Sequence, residues 1–142
     1  MSETALSMPR LSRAFRYMPL HVNGAIRALR MFAQPWRLLK AYFFGRSMNH
    51  EVLRMRDGTT METSSSASDP ATLFVVFVRE EYAPIPRGAV IVDVGANIGA
   101  FSVYAARSGA KRVIAYEPSR EAFETLKRNV ERNALGRAVV TE

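Results

Sequence analysis

Residues Val90-Ile91-Val92-Asp93-Val94-Gly95-Ala96-Asn97-Ile98-Gly99-Ala100-Phe101-Ser102 decide the fold. A β-branched run closing on an acid, then two glycines four apart, then small and aromatic residues, reads as strand, tight turn and helix start. The pattern recurs downstream. Val113-Ile114-Ala115-Tyr116 forms a second strand that runs into Glu117, and Ala138-Val139-Val140 opens a third. The spacing predicts strands over 89–94 and 112–116. It predicts helices from about 98 to 108, stopped by Gly109, and over 119–134, stopped by Gly136. Solid Val/Ile strands alternating with helices imply a parallel βαβαβ sheet with covered faces, an α/β arrangement.

Upstream of this unit, Glu51 to Ser64 has the signature of a β-hairpin. Val52-Leu53-Arg54-Met55-Arg56 alternates apolar and polar, Asp57-Gly58 is a two-residue turn signal, and Thr59 to Thr63 returns. Ser64-Ser65-Ser66-Ala67-Ser68 is a loop that ends in Asp69-Pro70, a helix start with a capping acid and a proline in the first turn. Ala71 to Tyr82 fits helix or strand, because Leu73-Phe74-Val75-Val76-Phe77-Val78 is apolar on every face. The cap and the charged end Arg79-Glu80-Glu81 favour helix.

Residues 1–9 are expected to be disordered. Leu11 to Ala33 is helical in pattern, and Pro19 and Gly24 divide it into two short helices. A further helix over Trp36–Phe44 begins behind Pro35 and stops at Gly45. The expected organisation is thus a basic helical extension over 1–48, followed by the hairpin and sheet over 49–142.

Charge divides the same way. Residues 1–56 hold ten Lys+Arg against Glu3 and Glu51, a net +8, whereas 57–142 hold ten against eleven acids, a net −1. The high pI therefore belongs to the N-terminal third. Three readings compete for that segment. One is a helical cap whose arginine stems cover apolar surface. The others are peripheral contact with an anionic membrane through residues 10–46, and a nucleic-acid arm. The cap is favoured, because Lys/Arg clusters on helices are usually solvated faces.

The 142 residues suit one domain, and 48% hydrophobic with 23% charged residues is ordinary for a globular protein. Cysteine is absent, which excludes disulfides, thiolate metal sites and a cysteine nucleophile. His21 and His50 lie 29 residues apart without carboxylates at useful spacings, so no metal site is expected. No run approaches the ~20 apolar residues of a membrane span. Arginines at 10, 13, 16, 27 and 30 break any secretory apolar core. An organelle transit peptide remains an alternative, and a cytoplasmic protein is the expectation.

The turn itself carries the chemistry. A helix N-terminus beside a strand end offers free N–H groups, and Gly95 and Gly99 allow a sharp turn with backbone open to a ligand. In open parallel sheets, ligands bind beyond the carboxyl ends of the strands, where this loop falls. A dinucleotide site prefers G-x-G-x-x-G; here the three positions are Gly95, Asn97 and Ala100. Asn97 stands where a pyrophosphate needs bare backbone, which disfavours NAD and FAD. S-adenosylmethionine has no phosphate, so a side chain is tolerated there. Glu117, 22 residues past Gly95, is placed to accept both ribose hydroxyls, and Asp93 to face the methionine ammonium or to brace the loop. The structural alternative is that both acids only cap helices or pair with arginines.

These residues resemble a family. Asp93-Val-Gly-Ala-Asn-Ile-Gly-Ala-Phe-Ser, followed by Ala115-Tyr-Glu-Pro-Ser, closely resembles the FkbM-type methyltransferases, a branch of the class I S-adenosylmethionine-dependent enzymes. The Asp57-Gly58 hairpin, the Ser-Asp helix start and Arg79-Glu-Glu-Tyr also resemble that family's lead-in. The resemblance covers roughly residues 50–140. It implies a Rossmann-like class I fold in which Asp93, Gly95, Ala96, Asn97 and Gly99 line the cofactor's methionine part. Glu117 would hold the ribose, and Pro118 would shape the loop around it. It implies O-methylation of a small-molecule or sugar hydroxyl, with no nucleic-acid partner expected.

The chain ends at Glu142, at the start of the third strand. The expectation is an incomplete domain, the βαβαβ half, that is inactive alone and leaves an unpaired apolar edge on strand 89–94, an aggregation hazard. No residue can be nominated as catalytic base. The competing functions are an NAD-dependent Rossmann oxidoreductase fragment and a non-catalytic nucleic-acid or membrane-surface binder driven by residues 1–56.

Overall fold

The computed structural model describes residues 23–79 and 81–142. The expected disorder over 1–9, the first of the two N-terminal helices and His21 lie outside the described residues. Residues 23–31 are helical (α1), followed by α2, Pro35–Phe44, with Gly45 in the left-handed conformation at its C-terminus. Gly24 lies within α1 and marks no break. A Cβ there would stand 2.6 Å from Phe74 Cζ, so the bare backbone lets α1 seat directly on an aromatic ring.

The hairpin pairs β1, Val52–Arg54, with β2, Thr60–Glu62, antiparallel. Its loop is three residues long, not two. The Met55 amide donates to the Thr59 carbonyl at 2.8 Å, and Gly58 closes the loop at φ +90°. A left-handed third loop residue is what that loop length requires, so glycine is read correctly and the register shifts by one.

The ambiguous apolar stretch is helical. α3, Asp69–Leu73, continues directly into a π-helical turn over Phe74–Arg79. The wider winding buries three successive residues, Val76, Phe77 and Val78. A helix apolar on all faces must be surrounded, and this one is. Phe74 stacks on Tyr42 of α2 at 4.1 Å between centroids, while Phe77 meets Tyr104 edge-on at 6.2 Å. Asp69 does not cap its own helix, because Ser68 occupies the capping position without a side-chain bond. The fully buried carboxylate instead accepts from the Ser64 amide (2.6 Å) and hydroxyl (2.7 Å), folding the serine loop back.

The remainder is a partial Rossmann-like α/β unit: β3, Val90–Val94; α4, Ala100–Arg107; β4, Arg112–Tyr116; α5, Arg120–Arg132; β5, Val139–Thr141. The strands are parallel in the order β3-β4-β5, with Asp93 beside Ala115 and Val94 beside Tyr116. Val113, Ala115 and Val139 meet Ala105 of α4 and Leu126 and Val130 of α5 in one apolar cluster. A second cluster joins α1, α2, the hairpin and the α3 region through Ala28, Leu38, Leu53, Met61 and Phe74, and Phe101 touches both. Gly136 does not stop α5; Ala134 takes the left-handed position at φ +54°.

Only one face of this sheet is covered. Val90, Val92 and Val94 are 62%, 57% and 80% exposed on the other. Among the described residues nothing covers that face, and β3 has no strand partner on its outer edge. The Val/Ile-rich strand composition fits burial on two faces, and the described residues supply one.

Candidate functional site

The turn between β3 and α4 packs three left-handed residues into five: Gly95 at φ +75°, Asn97 at +50° and Gly99 at +79°. Asparagine is among the few non-glycine residues that adopt this region readily. The amides of Gly95 and Ala96 both donate to the Tyr116 carbonyl, at 2.9 and 3.0 Å, which folds the turn over the end of β4.

The two glycines do different work. A Cβ added to Gly99 would stand 2.3 Å from Leu126 Cδ1, so its bare backbone lets α5 pack against the root of α4. A Cβ on Gly95 would meet nothing within 4 Å. That exposed stretch of backbone is where a ligand could lie. Ala96 is buried in the sheet-side cluster, and its amide is already committed to Tyr116.

Parallel register brings the two acids together at adjacent strand tips. Glu117 Oε2 accepts from the Asn97 amide (2.7 Å) and Oε1 from the Ser119 amide (2.7 Å). The carboxylate thus holds the turn and the start of α5 at once. Each oxygen retains a lone pair, because a carboxylate offers about four acceptor sites. Asp93 Oδ2 accepts from Ser102 Oγ at 2.6 Å, tying β3 to the first turn of α4. Burial pushes the Asp93 carboxyl above its usual range, the Ser102 bond opposes this, and the nearby Glu117 charge raises it further. Repulsion between the two acids would be relieved by a cation placed beside Asp93.

Asp93, Gly95, Asn97 and Glu117 gather at the turn, Pro118 is exposed beside Glu117, and Gly99 faces inward. His50 stands apart at φ +63°, its Nε2 3.9 Å from Glu121. Among the described residues no group of three or more His, Asp or Glu is gathered that could hold a metal ion. No helix there is long and apolar enough to cross a membrane.

Three contributors were missed from the sequence. Ser102, Leu126 and Asn129 all bear on the turn, from the buried faces of α4 and α5. A signal existed for the last: Asn129 lies inside an amphipathic helix, where asparagine has no intrinsic preference, one turn before Asn133 at the helix's C-terminal end.

No family model matches the chain. Methyltransferase 1 of Beauveria bassiana (strain ARSEF 2860) is 36% identical over 81 residues, covering 51% of this chain and 32% of that protein. The chain thus spans about a third of that relative's length. Among solved structures, PRMT6 with SAH is 36% identical with a TM-score of 0.42, over 50% of this chain and 21% of that one. The complex of aTrm5 and tRNALeu is 16% identical with a TM-score of 0.45, over 67% and 33%.

These comparisons correct one expectation. The similar structures include protein and tRNA methyltransferases, one of them with tRNA, so the exclusion of a nucleic-acid partner does not stand. The physical reason is that a βαβαβ unit does not by itself set the acceptor, because function resides in sites grafted on a fold. The chain is a partial Rossmann-like α/β unit whose sequence is similar to a methyltransferase.

Proposed function

We propose that this chain is the cofactor-binding portion of an S-adenosylmethionine-dependent methyltransferase. One observation carries the reading: two carboxylates at adjacent strand tips flank a turn whose first glycine leaves open backbone and whose central position is an asparagine. Glu117 would use its free lone pairs on the ribose hydroxyls, and Asp93 would pair with the methionine ammonium. Gly95 and Asn97 would line the methionine chain, with Ala96 and Gly99 shaping the turn behind them and Pro118 the loop beside the ribose. When bound, the cofactor supplies a methyl group on a positively charged sulfur, activated for transfer. The chain's own part is to orient that group, since proximity and in-line geometry dominate such transfers.

Titration calorimetry with S-adenosylhomocysteine and with NAD tests this directly. Saturable binding of the former and none of the latter is expected; tighter NAD binding overturns the reading. The FkbM-type resemblance supports a finer one, O-methylation of a small-molecule or sugar hydroxyl. Label transfer from methyl-labelled cofactor to a panel of hydroxylated small molecules, with RNA as competing acceptor, tests it. Label in RNA alone overturns it.

A further inference from the structure

We infer that Asn129 is a positioning residue that sets the shape of the cofactor turn and couples it to the hairpin. The inference rests on the cofactor reading above for its functional consequence, and on geometry alone for the coupling.

β1 uses only one edge of β2. The amides and carbonyls of Thr60 and Glu62 point away from it, toward α5. There Asn133 accepts from the Thr60 amide (3.0 Å) and donates to the Thr60 carbonyl (2.7 Å). One turn earlier, Asn129 accepts from the Glu62 amide (2.6 Å) and donates to the Glu62 carbonyl (2.9 Å). Two carboxamides one helical turn apart therefore stand in for a neighbouring strand. Arg128 and Arg132 flank them and pair with the Glu62 carboxylate, both at 2.9 Å.

The two asparagines differ in one respect. Asn129 is fully buried, and its Nδ2 also donates to the Ile98 carbonyl at 2.8 Å. The amide group has two hydrogens, so it serves Glu62 and Ile98 together. Ile98 lies between two left-handed residues, Asn97 and Gly99. The peptide joining Ile98 to Gly99 is held at its oxygen by Asn129 and at its N–H by the Ala96 carbonyl (2.8 Å). Removing the Asn129 bond leaves that peptide held only at its N–H, which loosens the turn two peptide planes from the Asn97 amide that Glu117 grips on the other side. Asn133 has no bond to the turn; its second donor contact is to the Asn129 carbonyl (2.7 Å).

The test compares Asn129→Ala with Asn133→Ala, each of which deletes one rung of the hairpin contact. Amide hydrogen exchange of residues 96–101 in the ligand-free chain is read first. Faster exchange there in Asn129→Ala and an unchanged rate in Asn133→Ala is expected. S-adenosylhomocysteine affinity is read second, with a loss of about tenfold expected for Asn129→Ala, the worth of one buried hydrogen bond, and no change for Asn133→Ala. Equal effects of the two variants on the turn, or none from Asn129→Ala, overturn the inference. If Asn129→Ala does not fold, Asn129→Ser leaves a smaller void and a hydroxyl for the same two readings. Failure of the wild-type chain to bind S-adenosylhomocysteine would overturn the cofactor reading, while the exchange comparison still decides the coupling.

Discussion

The motif glycines Gly95 and Gly99 look equivalent in the sequence, and alanine at each should separate their roles. Both sit at positive φ, so a Cβ at either costs about 1–2 kcal/mol of backbone strain. Gly99→Ala also drives its new methyl to 2.3 Å from Leu126 Cδ1. Leu126 is fully buried in the sheet-side cluster and cannot swing into solvent. Overpacking of this kind adds about 1–3 kcal/mol, giving a total near 2–5 kcal/mol. Gly95→Ala meets no atom and should cost the strain alone. Urea unfolding reads the difference. With slopes of about 1–3 kcal/mol per molar, Gly99→Ala should unfold at a midpoint on the order of 1 M below Gly95→Ala. The ligand should rank them the other way within the folded population: Gly95→Ala puts a methyl on the open backbone and should weaken S-adenosylhomocysteine binding. Equal urea midpoints for the two variants would refute the division of labour between them.

Three further outcomes follow from the same geometry. Burial raises the Asp93 carboxyl, so the folded state holds its proton more tightly than the unfolded chain does. That contribution to stability is present at low pH and is lost as pH rises through the raised value. Asp93→Asn should therefore melt no lower than wild type at neutral pH, while cofactor affinity falls; a large drop in melting temperature would contradict it. In the wild-type chain, S-adenosylhomocysteine affinity should weaken as pH falls through the raised Asp93 value, and a pH-independent affinity would remove Asp93 from the ammonium. Finally, the exposed valines of β3 form an apolar face beside an open strand edge. Val92→Lys should reduce concentration-dependent light scattering without shifting the melt, because charge on an edge strand opposes pairing.

The parts of the fold that depend on local pattern were legible. Val/Ile runs marked β3 and β4, Pro35 and Gly45 bracketed α2, and alternation marked the hairpin. The meeting of Asp93 and Glu117 was legible too, because consecutive parallel strands bring their tips together. What escaped was set by contacts distant in sequence. Gly24 looked like a breaker, yet its missing side chain makes room for Phe74. Gly136 looked like a stop, but Ala134 already turns the chain. The π-helical winding over Phe74–Arg79 has no local signature; four of its residues are buried in the cluster shared with α2 and the hairpin. Asn129 and Asn133 read as ordinary polar residues on α5 until the hairpin edge they satisfy is placed beside them.

The most direct measurement is calorimetric titration of S-adenosylhomocysteine into the wild-type chain and into Glu117→Ala, with circular dichroism to verify that both are folded. Saturable binding to the wild type, lost in Glu117→Ala, is the predicted result. Unchanged binding in a folded Glu117→Ala variant, or none in a folded wild-type chain, would contradict the assignment of this turn as an S-adenosylmethionine site.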